Sequence, residues 1–237
     1  MSWLVKALYE EDQSAPPGHQ ALNEDGRLMI IAGIDTTGTI LAYALYYLTK
    51  NPHANQALQK DLVTTFFTTS PEDFTNDKLQ TLPYLDAIIN ETLRLKPAVP
   101  SGQPRQTPPA GLQIDEVWIP GNTIVVIPQY VLQRDARYFP SGDEFILELW
   151  LASSKKDGLV KYEEAFFPFQ LGQYGCIGKQ LALMQLRAVI ARIAYDFDMG
   201  FAEGEDGVAF DGESMDTFTF TLGGLRVVFK DRNTDRY

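Results

Sequence analysis

Apolar positions recur at helical spacing in four stretches of the chain, and these set the frame of the expected fold. The first opens near Gln20 and runs to about Lys50, long for one element of a domain this size. Asn51 then reads as an N-cap with Pro52 in the first helical position, opening a second helix to about Phe66. Ser70-Pro71-Glu72-Asp73 reads as a loop. A third helix begins around Pro83 and stops before Pro97, because a residue preceding proline is pushed out of the helical region. The fourth follows Gly178, with Leu181, Ala182, Met184, Leu186, Ile190 and Ile193 near helical period, and ends by Gly200.

Between and after these helices the pattern turns to short β-rich runs. A proline-rich stretch from Pro97 to Pro109 precedes Leu112 to Ile119 and Thr123 to Ile127, and Pro120-Gly121-Asn122 between them predicts a hairpin. Thr217 to Leu222 and Leu225 to Phe229 flank Gly223-Gly224, which predicts a second. Residues 134 to 168 carry Pro, Gly and Ser-Ser-Lys-Lys-Asp-Gly punctuation, yet also Phe145, Trp150, Phe166 and Phe167. A long loop holding that many aromatics is expected to be packed and functional. Glu203 to Asp216 has six carboxylates and no basic residue, and reads as a solvated loop. The expected fold class is mainly α with small peripheral β-hairpins; residues 1–19 read as a lead-in and 20–237 as the folded body.

Leu28 to Leu48 is 21 residues with a single charge, Asp35, which is long enough to span a bilayer. A mid-membrane Asp costs about 2.5–3.5 kcal/mol on insertion scales, and Gly33, Thr36, Thr37, Gly38 and Thr39 dilute the apolar run. The expectation is therefore a buried helix through the centre of a soluble fold. The opening Met1 to Tyr9 has too short an apolar stretch for a signal peptide and runs into Glu10, Glu11 and Asp12. Composition narrows the function further. A formal charge of -11 argues against a non-specific nucleic-acid binder, which needs a basic surface. One cysteine excludes an internal disulfide, and two histidines exclude a histidine-rich metal site.

Three clusters carry candidate chemistry. In the middle of the long helix stands Ala32-Gly33-Ile34-Asp35-Thr36-Thr37. Thr and Asp are poor interior helix residues because their side chains compete for backbone groups, and Gly33 lets something large approach the backbone. The plainer account is a kink with Thr hydroxyls bonding one turn back. On the third helix, Glu91 and Arg94 share a face at i and i+3; taken alone, such a pair is usually a surface contact of little value. The third cluster is Phe169-Gln170-Leu171-Gly172-Gln173-Tyr174-Gly175-Cys176-Ile177-Gly178, feeding a helix. A cysteine there sits at the positive end of the helix dipole, which favours thiolate. Gly178-Lys179 resembles the end of a phosphate loop, but Gln173 and Gln180 stand where that motif needs Gly and Ser or Thr. A nucleophilic cysteine lacks a partner base, since neither His19 nor His53 lies in a suitable motif.

Taken together and in this order, the clusters resemble the cytochrome P-450 family. The long helix matches its A-G-x-D-T-T motif, the third helix its E-x-x-R pair, and the loop its F-x-x-G-x-x-x-C-x-G signature. Residues 82 to 95 and the following Pro-Ala-Val-Pro-Ser-Gly look particularly like fungal members. The resemblance covers residues from about 20 to the end and implies the C-terminal half of that fold. It implies haem as cofactor, with Cys176 as axial thiolate ligand of the iron and Gly172, Gly175 and Gly178 shaping the loop beside Phe169. It implies that Thr36 hydrogen-bonds dioxygen, that Asp35 helps relay protons, and that Ala32 and Gly33 leave room for haem and substrate. Arg105 matches a position that often binds a haem propionate, and Glu91 and Arg94 would be structural.

Two departures stand out. Phe145-Ile146-Leu147-Glu148-Leu149-Trp150 aligns with the family's P-E-R-[FW] segment, placing Leu149 at the arginine that completes a triad with Glu91 and Arg94. Its loss is expected to leave Glu91 incompletely paired. Tyr174 stands where many members place a propionate-binding arginine. The resemblance implies a monooxygenase inserting one atom of O2 into an apolar organic substrate, with electrons from an NADPH-dependent reductase docking on the Cys176 side. A truncated, non-catalytic remnant with weak or no haem binding is the alternative, and a haem-dependent isomerase or dehydratase a third reading. Fungal members are usually bound to the endoplasmic-reticulum membrane, whereas no anchor is read in this chain.

Overall fold

The structure is a computed structural model and describes residues 2–10, 12, 18–66, 73–151 and 163–232. Each of the four apolar stretches forms a helix. In chain order the elements are α1 (Ser2–Tyr9), α2 (His19–Lys50), α3 (Pro52–Thr65), α4 (Asn76–Leu79) and α5 (Pro83–Leu95), then β1 (Arg105–Gln106), β2 (Leu112–Ile114), β3 (Val117–Ile119), β4 (Ile124–Val125) and α6 (Gln129–Leu132). They continue with α7 (Lys179–Asp196), β5 (Phe197–Phe201), α8 (Val208–Glu213), β6 (Met215–Thr217), β7 (Thr219–Thr221) and β8 (Val227–Asp231). The segment read as a lead-in thus contains a helix. Most of the Ser70–Asp73 loop and all of the Ser153–Gly158 punctuation lie outside the described residues.

The core forms where α2, α3, α5 and α7 meet. Ile40, Ala44 and Leu48 recur every four residues on α2 and face Leu58 and Leu62 of α3, Leu85 and Ile88 of α5, and Leu186, Ile190 and Ala194 of α7. A second cluster beside it is aromatic: Tyr43, Tyr46 and Tyr47 of α2 with Phe210 of α8 and Leu95 of α5. Apart from Gly26, only the C-terminal half of α2 is buried. Residues 27–35 are exposed, including the successive apolar side chains Leu28, Met29, Ile30, Ile31 and Ile34. The expected buried central helix is therefore half correct. α2 is long and apolar enough to cross a membrane, yet Ile40 to Thr49 are held by protein on α3, α5 and α7.

Several local expectations are corrected. Asn51 does not cap α3 with its side chain; its amide donates to the Tyr47 carbonyl at 2.8 Å, alongside its backbone N–H, and so closes the C-terminal end of α2. The run from Leu112 to Ile119 is not one strand. It folds on itself, pairing Leu112 with Ile119 and Ile114 with Val117, with Asp115 in the left-handed region (φ 48) at the turn. β4 pairs instead with β1, Arg105 opposite Val125, so Pro120-Gly121-Asn122 leads back from the hairpin rather than making it. Gly223-Gly224 is not a hairpin turn either. β6 pairs with β7 around Phe218 (φ 89), and β8 pairs with β5. A Cβ on Gly223 would lie 2.9 Å from the Phe210 carbonyl oxygen, so glycine serves close approach to α8 there.

The acidic stretch is not merely a solvated loop, because α8 inserts Phe210 into the aromatic cluster and its Asp211 pairs with the buried Lys96. In the 134–168 region the described aromatics are packed, Phe145 stacked on Tyr47 at 4.6 Å and Trp150 against Phe166 at 4.4 Å. Helix α7 ends at Asp196, before Gly200 as its periodicity indicated, and gives way to β5. Ile190 is fully buried in this core, and Ile190→Ala is expected to cost about 2–5 kcal/mol in urea unfolding.

Candidate functional site: a cysteine loop beside a glycine-bearing helix

Glu91 and Arg94 are both 0% exposed, and the i, i+3 spacing on α5 brings them into a bidentate pair. Arg94 Nε donates to Glu91 Oε2 and Nη2 to Oε1, each at 2.8 Å. Its other N–H groups reach the carbonyls of Gln133, Gly142 and Glu144 at 2.8, 2.6 and 2.8 Å. All five guanidinium donors are thus used. Glu91 is equally satisfied. Oε1 also accepts from the Ile146 backbone N–H at 2.8 Å, and Oε2 from Trp150 Nε1 at 2.9 Å.

This corrects the expectation of an under-paired Glu91. The indole N–H one residue beyond Leu149 supplies the missing donor, and Leu149 itself is buried with Phe139 and Ala165. Sequence reasoning missed Trp150 as a partner. Its signal was a buried-type aromatic carrying one obligatory donor.

The cysteine loop has its own internal bonds. Cys176 N–H donates to the Phe169 carbonyl at 2.8 Å, and Gly175 N–H to the Gly172 carbonyl at 3.0 Å, with Gly172 at φ +65 where a side chain would be strained. Lys179 N–H and Ala182 N–H then bond back to the Cys176 and Gly178 carbonyls, starting α7. The thiol of Cys176 is exposed, Ile177 beside it is 96% exposed, and Leu171 and Tyr174 are exposed as well. Phe169 is half-buried against the core, with the Lys179 ammonium 5.7 Å from its ring centroid.

Arg105 on β1 comes to this loop, its guanidinium 4.8 Å from the Tyr174 ring centroid. Arg105, which matches the family pattern, and Tyr174, which departs from it, thereby meet as a cation–ring pair, which neither residue announced in sequence. Beneath the loop lies a cavity of about 320 Å³ bordered by Asp86, Phe169, Lys179 and Arg187, with Arg187 paired to Asp86 at 2.7 Å.

On α2, Thr36 Oγ1 donates to the Ala32 carbonyl at 2.7 Å, the one-turn-back bond that spacing anticipates. Ala32, Gly33 and Asp35 are exposed, and a Cβ on Gly33 would meet nothing within 4 Å. Helices α2 and α7 pack on one another, so this segment and the loop sit on adjoining elements. The side chains present suit a haem. They comprise one accessible soft sulfur, an apolar rim of Leu171, Ile177 and Phe169, and one arginine to meet a carboxylate. No cluster of His, Cys, Asp and Glu that would hold a metal by itself occurs among the described residues.

These features define the C-terminal part of a helical fold organised around a cysteine loop. The family model for cytochrome P-450 matches residues 4–222, starting inside α1. The chain is 44% identical over 232 residues to the cytochrome P-450 monooxygenase eupD of Phoma sp, covering 98% of this chain and 79% of that protein. It is 38% identical over 235 residues to the monooxygenase orf5 of Eupenicillium brefeldianum, covering 99% and 46% respectively. Tryprostatin B 6-hydroxylase of Aspergillus fumigatus is 38% identical over 209 residues, of which this chain covers 37% of the length. A crystal structure of a cytochrome P-450 superposes with a TM-score of 0.73 at 22% identity, over 86% of this chain and 44% of that one. The chain belongs to the cytochrome P-450 family and has the C-terminal half of its fold. It spans under half the length of two of these three relatives and of the solved structure.

Because the Glu91 site is closed, each lost donor leaves a buried charge short. Glu91→Gln is expected to cost about 3–5 kcal/mol and Trp150→Phe about 1.5–3 kcal/mol, measured by urea unfolding. Leu149→Ala should behave as an apolar truncation, costing about 2–5 kcal/mol while leaving the Trp150 indole bond to Glu91 in place.

Proposed function

We propose that the chain is the C-terminal part of a haem-thiolate monooxygenase, inserting one oxygen atom from O2 into an apolar organic substrate while the other leaves as water. Electrons come from an NADPH-dependent reductase docking on the Cys176 side. The observation that carries this reading is the exposed Cys176 thiol on a glycine-shaped loop, with the Arg105–Tyr174 pair at its rim. Haem, when bound, supplies the oxygen-activating redox chemistry.

The residues of the chain divide the remaining work. Cys176 Sγ would hold the haem iron, and the loop's backbone bonds keep it at the start of α7. Arg105 would neutralise a haem propionate, its guanidinium kept in place by Tyr174, Pro104 O and Gln103 Oε1. Ala32 and Gly33 leave space for the flat cofactor and for substrate. Thr36 Oγ1 donates to Ala32 O and keeps lone pairs free to accept a hydrogen bond. Asp35, exposed to solvent, takes up protons and passes them toward Thr36 Oγ1. Glu91 and Arg94 hold the segment 142–150 in place beneath α5.

A second reading, a non-catalytic chain with weak or no haem affinity, is favoured by the bare apolar surface from Leu28 to Ile34, beside the residues that would border the haem. Titration with haemin followed by reduction under carbon monoxide separates the two. A stoichiometric complex with a thiolate-type red-shifted Soret band, lost in Cys176→Ser, is the expected result. Absent stoichiometric binding, or binding unchanged by that substitution, would overturn the first reading for this chain and leave the second.

A further inference from the structure

Lys96, at the C-terminal end of α5, takes no part in the site described above, yet it is 5% exposed. An ammonium at that depth needs a counter-charge and a polarisable surround. Both are present. Its Nζ is ion-paired with Asp211 on α8. It also lies 4.8 Å from the ring centroid of Tyr43 on α2, 5.7 Å from Phe220 on β7 and 5.8 Å from Tyr130 on α6. Such cation–ring contacts strengthen when water is excluded. Burial raises the Tyr43 hydroxyl to about 12, so that ring stays neutral at ordinary pH and adds no competing charge. One cation therefore joins α5 to four other elements, α2, α6, α8 and β7.

The element most dependent on this junction is the β6–β7 ribbon. Its strands are three residues each, and a two-stranded ribbon of that size has little stability alone. β6 is exposed along its length and Phe218 at the turn is exposed too. Two attachments locate the ribbon. Phe220 packs on Tyr43 at 5.6 Å and on Tyr130 at 6.4 Å, and Ser101 Oγ donates to Asp216. Ser101 belongs to the loop that leaves Lys96 and reaches Arg105. Tyr43 lies seven residues beyond Thr36, on the same face of α2 through Ile40, roughly 10 Å along the helix. The ribbon, the 97–104 loop and the Thr36 face are thus linked through the caged ammonium.

We propose that Lys96 is a positioning residue: its caged, ion-paired ammonium clamps the β6–β7 ribbon and the 97–104 loop to α2 as one unit bordering the Thr36 face. The functional meaning of that border rests on the monooxygenase reading, whereas the clamp itself does not.

Hydrogen–deuterium exchange on the full chain tests it without haem, so its failure is distinguishable from failure of the haem titration. Lys96→Met keeps the apolar stem and removes the charge. It is expected to speed exchange of residues 215–221 and 98–104 about tenfold or more, with α5 and α7 amides unchanged. Asp211→Asn should loosen the same peptides, and the double variant should be no looser than Lys96→Met alone, because the two act as a pair. Lys96→Arg, which retains a cation for the rings and the carboxylate, should restore wild-type protection. Wild-type exchange of the ribbon in Lys96→Met would overturn the proposal. Equal acceleration throughout α5 and α7, additive effects in the double variant, or no rescue by arginine would overturn it as well.

Discussion

A fully satisfied ion pair at the centre of the chain is the constraint on which the rest is built. Glu91 and Arg94 are taken out of water completely, a costly step for two charges. The cost is offset only because every guanidinium donor finds an acceptor and every carboxylate oxygen receives two donors. Those partners are the backbone of residues 133–146 and the indole of Trp150, so the pair organises a long segment with little regular structure. The loop stays packed against α5 because leaving would strand the charges. Apolar contacts of Phe145 with Tyr47 and of Trp150 with Phe166 then fill the space around the pair.

The candidate site lies where this rigid centre meets surface that the described residues do not cover. The C-terminal half of α2 is locked between α3, α5 and α7, while the half bearing Gly33 and Asp35 is exposed. The cysteine loop repeats the arrangement, since its helix is anchored by Leu186 and Ile190 and its thiol is open. At the same loop the Arg105 guanidinium lies over the Tyr174 ring, a contact between a charge and a neutral aromatic.

The long helices and the loop signature were legible because they depend on near-neighbour pattern: helical period, Pro52 and Pro83 at first-turn positions, and glycine spacing around Cys176. The hairpins were misassigned for the opposite reason. Pro120-Gly121-Asn122 and Gly223-Gly224 have turn-forming residues, but strand partners are chosen by which edges the helices leave available. β4 therefore returns to β1, and β8 crosses to β5, more than twenty residues away. Glu91 was expected to lack a partner because the aligned arginine is absent; whether a neighbouring indole can turn to fill the gap is a matter of three-dimensional direction.

By itself, then, the sequence determined the family, the helix order, and which residues carry candidate chemistry, since all three rest on local patterns read in order along one chain. Tertiary structure alone decided that Glu91 and Arg94 are fully buried rather than a surface pair, that Trp150 replaces a missing arginine, and that Arg105 stacks on Tyr174. It also decided that Lys96 is caged by rings from three distant elements. The physical reason is common to all four. The energy of a charge depends on how much water it loses and which donors, acceptors or rings surround it, and those neighbours come from parts of the chain that no local pattern connects.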